Sequence, residues 1–319
     1  MVVEGIKESR PVTDRRKDFL EAAKTVIDNL HKFWPLSIRQ IHYNLLPIAP
    51  QKNTTKNATK KQREKNKYKN DQSSYKALSR LLNDARYEGL IPFRCIADAT
   101  RPTNTYGGWS NASDFIRNET EYFMCGFRMN MQLNQPDHIE VLAEKKTIGR
   151  IIEPVCDKFQ VAYTLGAGYG NPSVWSKMAN RYQQSGKDRM ILVIVSDYDP
   201  EGFDLANDAV KALRTHFGVN VQYKRAAVNR SQIDELKLAE DFNPAKPDST
   251  RLKKFIELTG GTDTWECEAL PPEYLQVRLD DAVRSVLDID IWNETIKQEE
   301  RYKREISTAR HDLIEILGI

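Results

Sequence analysis

The sequence predicts an α/β protein, α+β overall, built in two parts. Three observations predict it. From residue 138 onward short apolar runs alternate with amphipathic stretches in β-α-β-α-β-α-β order, which implies a mostly parallel sheet flanked by helices. Before residue 110 the apolar residues recur instead at helical spacings. The length of 319 residues, at roughly 150 per domain, allows about two domains.

The first element is a helix over 14–33, with Phe19, Leu20, Ala23, Val26, Ile27 and Leu30 on one face and Thr13 as its N-cap. A short helix follows in SIRQIHYNLLP, with Ser37 as cap and Pro47 as terminator. Residues 51–70 carry eight Lys and Arg, one acid and almost nothing apolar, and read as a flexible basic arm. SSYKALSRLLNDARYEG is an amphipathic helix ending at Gly89, and IPFRCIAD is a strand. Helix, short helix, helix and strand in this order predict a winged helix-turn-helix over 1–110, with 51–70 inserted. Residues 102–110 read as a loop, and 111–133 as a helix within a connector over 111–136.

In the second part, 137–319, HIEVLA is a strand and KKTIGRIIEPVCDKF a helix. QVAYTL is a strand, followed by the loop GAGYGNPS and the helix VWSKMANRYQQ. RMILVIVS is the clearest buried strand, FDLANDAVKALRTHF the helix after it, and VNVQYKRAAV the next strand. TWECEAL is read as a last strand, and 272–287 and 290–317 as helices.

Apolar residues at 40% and charged residues at 29% provide ample core and exclude collagen-like or wholly disordered chains. The longest apolar run, Met190 to Val195, is far short of the roughly 20 residues of a membrane helix, and no secretory h-region opens the chain. The cysteines at 95, 125, 156 and 267 form no CxxC and are expected to be reduced thiols of a cytoplasmic, DNA-associated protein. Charge is uneven. Residues 1–136 hold 23 Lys and Arg against 14 Asp and Glu, whereas 137–319 hold 25 against 31. Such asymmetry suits a nucleic-acid partner, although a solvated surface with uneven charge gives the same count.

The strongest chemical signal is IVSDYDPEG, in which a buried strand runs into Asp197 and Asp199. Residues two apart in an extended segment project to the same side, here at the carboxyl end of a central parallel strand, where open α/β sheets bind ligands. Hard oxygen donors there suit Mg²⁺, or Mn²⁺. The alternative is a helix-capping Asp beside a turn Asp. Glu144 ends the first strand, so adjacent first and third strands would bring three acids together, strongly repelling one another without a cation.

VLAEKK, GAGYGNPS, IVSDYDPEG and ECEALPPEYL, in this order, resemble a TOPRIM domain. More narrowly they resemble the A subunit of type IIB DNA topoisomerases (topoisomerase VI) and its relative that makes meiotic double-strand breaks. The N-terminal part matches the same family through Ser37-Ile38-Arg39-Gln40-Ile41-His42-Tyr43. His42 departs from that pattern, in which Phe or Tyr is more usual. The likeness covers about 30–290 and is greatest to short stand-alone "Mini-A" proteins of mobile elements. It implies a Mg²⁺ site on Glu144, Asp197 and Asp199, with Glu266 and Glu268 as possible further acids. It also implies that Tyr43 is the nucleophile of a DNA-cleaving transesterase, and that the tyrosine of one protomer faces the metal site of the other in a homodimer. Arg39, one helical turn before Tyr43, lies on the same face and could contact phosphate. No GxxxxGK[S/T] loop is present, so ATP-driven strand passage would need a separate B-like ATPase subunit.

Two rival readings stay open: a TOPRIM nuclease using metal-activated water with Tyr43 a bystander, and a non-catalytic winged-helix DNA-binding protein. Duplex DNA is the expected partner in each. Lys60, Lys61, Arg63, Lys65 and Lys67 of the arm, with Arg80 and Arg86 of the third helix, are the expected phosphate contacts. The sequence GAGYG lacks dinucleotide-loop spacing, the histidines at 31, 138, 216 and 311 stand singly, and Trp109 reads as closing a loop.

Overall fold

The computed structural model describes residues 11–55, 58–97, 107–166, 172–241, 244–245 and 247–317. Its second half is organised by a four-stranded, all-parallel sheet of β1 (His138–Ala143), β2 (Ala162–Leu165), β3 (Met190–Val195) and β4 (Val221–Ala227), in the order β2-β1-β3-β4. All six residues of β3 are buried, as the unbroken run MILVIV requires of a strand covered on both faces. Each such side chain contributes roughly 1.5–3 kcal/mol when fully removed from water.

Alternation sorts the two faces. Leu142, Met190, Leu192 and Ile194 pack with α7 (Pro172–Ser185) and α8 (Pro200–Phe217). Ile139, Val141, Val193 and Val195 face the other way, in a core that includes α6 (Gly149–Phe159) and α11 (Pro272–Arg284). The same core continues into the N-terminal helices α1 (Lys17–Asn29), α2 (Ile38–Leu45) and α4 (Gln72–Tyr87) through Phe19, Ile27, Ile41, Leu45, Leu78 and Leu82. The helical part is therefore packed onto the sheet's part by a continuous apolar core.

Ser37 caps α2 in a reciprocal capping box with Gln40, as its place before the apolar run predicts. Four expectations are corrected. Helix α1 begins only at Lys17, because 14–16 form a 3₁₀ turn in which Thr13 makes no side-chain cap. The strand read in 91–98 is instead a 3₁₀ turn at Phe93–Cys95 and a single bridge from Ile96 to Leu36; Pro92 brings no N–H to a ladder. TWECEAL likewise forms one bridge, Trp265 to Tyr198, before turning at Cys267–Ala269. The connector helix α5 is Ala112–Tyr122, shorter than 111–133.

The basic arm is also corrected. It contains a helix, α3 (Lys60–Asn66), with a Thr59–Gln62 capping box, and a bridge between Gln51 and Lys67. Its anchor is Tyr68, 2% exposed, whose hydroxyl lies 2.6 Å from the imidazole of buried His42. Helices α9 (Arg230–Leu236), α10 (Leu252–Thr259) and α12 (Ile289–Leu317) complete the described elements. No helix among the described residues is long and apolar enough to cross a membrane. Cys95, Cys156 and Cys267 are buried, Cys125 is exposed, and all four are free thiols.

Candidate active site at the carboxyl edge of the sheet

Chain connections leave β1 toward β2 on one side, and the sheet continues to β3 on the other. The crevice outside the carboxyl ends of β1 and β3 is therefore the topological switch point, the usual ligand position in open α/β sheets. Glu144, Asp197 and Asp199 all follow those two strands. Glu144 continues the ladder, its N–H donating to Val195 O at 3.0 Å, and its Oε2 accepts the N–H of Asp197 at 3.0 Å.

The turn after β3 is held from three directions. Asp199 caps α8 by accepting the N–H of Gly202 at 2.6 Å, with Pro200 at the first helical position. The capping role left open by the sequence is thus real for one oxygen of Asp199. Arg225 on β4 donates to the carbonyls of Asp197 and of Gly202, the latter at 3.1 Å. Gly202 itself lies so close that a Cβ would stand 2.3 Å from Asp197 O.

Asp197 is 5% exposed. Its Oδ1 accepts the N–H of Cys267 at 2.8 Å, and its Oδ2 lies 2.8 Å from the ammonium of Lys145. The same ammonium reaches Glu266 Oε1 and Glu268 Oε2, both at 3.3 Å. The segment after the Trp265 bridge thereby joins the acids of β1 and β3.

Helix α2 brings its own residues to this cluster. Ser37 donates its hydroxyl proton to Glu268, and the Tyr43 phenol donates to Glu266 Oε2 at 3.3 Å. Arg39 Nε lies 3.2 Å from the same oxygen, with one terminal nitrogen 3.4 Å from Asp241 and its guanidinium over the Tyr75 ring at 4.9 Å. Arg39 and Tyr43 are one turn apart, which is why one carboxylate meets both. His42, on the opposite side, hydrogen-bonds Tyr68 and Asn70 and so ties the arm to α2.

The electrostatics follow from crowding. Burial, then Asp197 and Asp199, push the Glu144 carboxyl up to about 7. Burial carries Asp199 up to about 6 despite the Gly202 N–H. Burial also carries Glu266 up to about 7, against the pull of Lys145 and Arg39. The Tyr43 phenol is raised above its ordinary value by burial first and then by Glu266. Burial opposes the charge on Lys145, yet Asp197, Glu268 and Glu266 outweigh it and hold the ammonium protonated.

Glu144, Asp197, Asp199, Asp241, Glu266 and Glu268 thus share Lys145, Arg39 and Arg225, leaving excess negative charge when all are ionised. Oxygen-only donors with unbalanced charge fit a hard divalent cation. Among the described residues no three such side chains are drawn round one point as a metal cage, and Lys145 stands between three of the acids.

The five arm cations Lys60, Lys61, Arg63, Lys65 and Lys67 are exposed, as is Arg80. Arg86 is half-buried, bonded to Asn83 at 2.6 Å and stacked on Phe93, so it is the least available of the set. Most of the GAGYG segment lies outside the described residues. Sequence reasoning missed Lys145, Asp241 and Tyr75 as members of the site. Lys145 had a signal in its position next to Glu144, whereas Asp241 sits in a loop with none. Compared with family models, with curated proteins and with solved structures, the chain matches none.

Proposed function

We propose that this chain is a DNA-cleaving transesterase of the type IIB topoisomerase A kind, pairing a winged-helix part with a TOPRIM part. The observation that carries this reading is one connected cluster. A tyrosine, an arginine and the carboxylates of a parallel sheet's switch point share Glu266 and Lys145. A tyrosine hydroxyl is a weak nucleophile and needs a proton acceptor. Glu266 accepts from that hydroxyl, and its pKa near 7 suits a general base at neutral pH.

In the proposed reaction Tyr43 Oη attacks a backbone phosphorus of duplex DNA, and its proton passes to Glu266. The bond to the 3′ oxygen breaks, that oxygen takes up a proton, and the 5′ phosphate stays on Tyr43. Arg39, which stands beside Tyr43 on Glu266, would neutralise phosphate charge. A divalent cation, held by Glu144, Asp197 and Asp199, would supply further neutralisation at the phosphate. Tyr43 here meets an acid of its own chain, unlike the arrangement between protomers that the resemblance implies, and two such chains would cut both strands.

One observation favours a second reading. Tyr43 is only 6% exposed and its phenol is raised, as in a tyrosine that serves packing. In that case metal-activated water does the cutting. Incubating the protein with supercoiled plasmid and Mg²⁺ or Mn²⁺, then denaturing, separates the two. DNA ends carrying covalent protein, lost in Tyr43→Phe, support the transesterase. Free ends that persist in Tyr43→Phe support the hydrolase.

A further inference from the structure

Three large apolar residues stand exposed where α4 ends and the chain turns back: Tyr87 at 71%, Leu90 at 42% and Phe93 at 59%. Exposed apolar residues scattered singly need no explanation, but these are grouped. Gly89, at φ 70°, takes the left-handed conformation just after the helix. The turn that follows brings Phe93 back against Tyr87, with ring centroids 5.8 Å apart and 77° between their planes. Such an edge-to-face pair holds the rings in place and leaves ring surface open to solvent. Arg86 stands over Phe93 at 5.6 Å and backs that ring. Tyr75, under the Arg39 guanidinium, lies twelve residues earlier on the same helix, so the patch is about 18 Å along α4 from the candidate active site.

The charge beside these rings is positive and uncompensated. Arg86 donates to the neutral Asn83 at 2.6 Å, and its buried Nε has no hydrogen-bond partner among the described residues. Arg94 is exposed and lies over the Trp34 ring at 5.9 Å. Neither guanidinium is in an ion pair among the described residues. The acids nearest Arg86 in sequence are engaged elsewhere: Asp84 pairs with Arg16 at 2.7 Å, and Glu88 accepts the N–H of Val12.

Exposed rings beside unpaired guanidinium groups suit a strand that offers base faces as well as phosphates. A duplex keeps its bases stacked on one another and turns phosphate and sugar outward, which would leave Tyr87 and Phe93 unused. We propose that Tyr87, Phe93, Arg86 and Arg94 form a platform for unpaired nucleotides of a DNA strand, with Tyr87 and Phe93 stacking on bases and Arg94 meeting phosphate. Charge complementarity favours this occupant over a second copy of the chain. A two-fold contact through the same patch would set the unpaired arginines of one copy against those of the other. The platform is separate from the Tyr43 site and depends on no cleavage there.

The test is binding in the presence of EDTA, which keeps divalent-ion cleavage silent. Fluorescence polarisation follows the full-length protein on labelled oligo(dT), on a duplex of the same length, and on an abasic oligonucleotide with the same number of phosphates. Tyr87→Ala/Phe93→Ala should bind oligo(dT) about tenfold or more weakly than the wild type, yet match it on the duplex and the abasic strand. Arg94→Gln should flatten the salt dependence on oligo(dT) by roughly 0.7 in slope. Both rings are exposed, so the double variant is expected to melt with the wild type; should it melt early, Tyr87→Ala alone is judged by the same affinities. An unchanged affinity for oligo(dT), an equal loss on the duplex, or a wild type no tighter on oligo(dT) than on the abasic strand overturns the platform. So does a concentration-dependent wild-type dimer that the double variant abolishes, which would assign the patch to a second copy.

Discussion

Replacing Glu144 by Gln removes a charge from the most crowded point of the site and leaves its shape. The glutamine carbonyl can still accept the Asp197 N–H that Glu144 accepts at 3.0 Å. In the folded wild type the carboxyl is raised from its ordinary value of 4.5 to about 7 by burial, Asp197 and Asp199. A group raised in the folded state contributes stability that is complete below its unfolded pKa and is lost as pH rises through the folded one. The window is therefore about 4.5 to 7. At 1.36 kcal/mol per pH unit, ionising Glu144 at pH 8 costs roughly 3 kcal/mol, a ceiling because relaxation and water entry reduce it. Glu144→Gln should thus be more stable than wild type at pH 8 by about 1–3 kcal/mol and nearly equal to it at pH 5. At on the order of 2 °C per kcal/mol, that is a gap of roughly 2–6 °C in melting temperature, read by differential scanning fluorimetry without divalent ions. Millimolar Mg²⁺ should close the gap at pH 8 by stabilising the wild type alone. A gap that is the same at both pH values, or a Gln variant less stable at pH 8, would refute the assignment of Glu144 to a charge-strained site.

The other expectations concern chemistry and DNA. Tyr43→Phe should lose covalent adduct formation altogether while costing about 1 kcal/mol of stability, the worth of one hydroxyl hydrogen bond, as seen by denaturation. Arg39→Gln should slow adduct formation by about a hundredfold or more if the proposed reaction holds, since it removes the guanidinium that stands beside Tyr43 on Glu266. Neutralising Lys60, Lys61, Arg63, Lys65 and Lys67 should weaken binding about equally for all duplex sequences. It should also flatten the salt dependence, by roughly 0.9 in slope per lost phosphate contact; an unchanged slope in a salt titration means that α3 does not touch DNA. Gly202→Ala should destabilise the fold by about 1–3 kcal/mol or more in chemical denaturation, because its Cβ would sit 2.3 Å from the Asp197 carbonyl and force the turn apart.

Much of the sheet was legible because its strands are buried on both faces and so advertise themselves. MILVIV can be little else in a β-α-β sequence, and DYDPEG marks a capped helix start. The two bridge-forming segments were not legible. IPFRCIAD and TWECEAL have strand composition, but each contributes a single bridge beside a 3₁₀ turn, and period and propensity do not record how many partners a strand will find. The arm misled for a related reason. Among the described residues its one buried side chain is Tyr68, whose hydroxyl meets a histidine in α2, and the Gln51–Lys67 bridge closes the arm beside it. Composition averaged over twenty residues hides a single anchor.

The site divides along the same line. Glu144, Asp197 and Asp199 were found because strand ends in a parallel sheet share an edge, so topology alone groups them. What topology cannot give is the content of the space between them. That space is set by the contact of α2 with the 266–268 segment, in which Ser37 and Tyr43 each donate to a glutamate. Such a contact brings acids from the sheet's part against hydroxyls and a guanidinium from the helical part. Buried carboxylates persist there only because donors arrive from both sides, and Lys145 supplies the charge that the hydroxyls cannot. A chain with α2 moved away would leave Glu266 and Glu268 with Lys145 as their one shared cation of those described here, and Glu266 would lose the Tyr43 phenol and Glu268 the Ser37 hydroxyl that donate to them. The joining of the two parts, whose apolar cores run together without a break, is therefore a condition of the proposed chemistry.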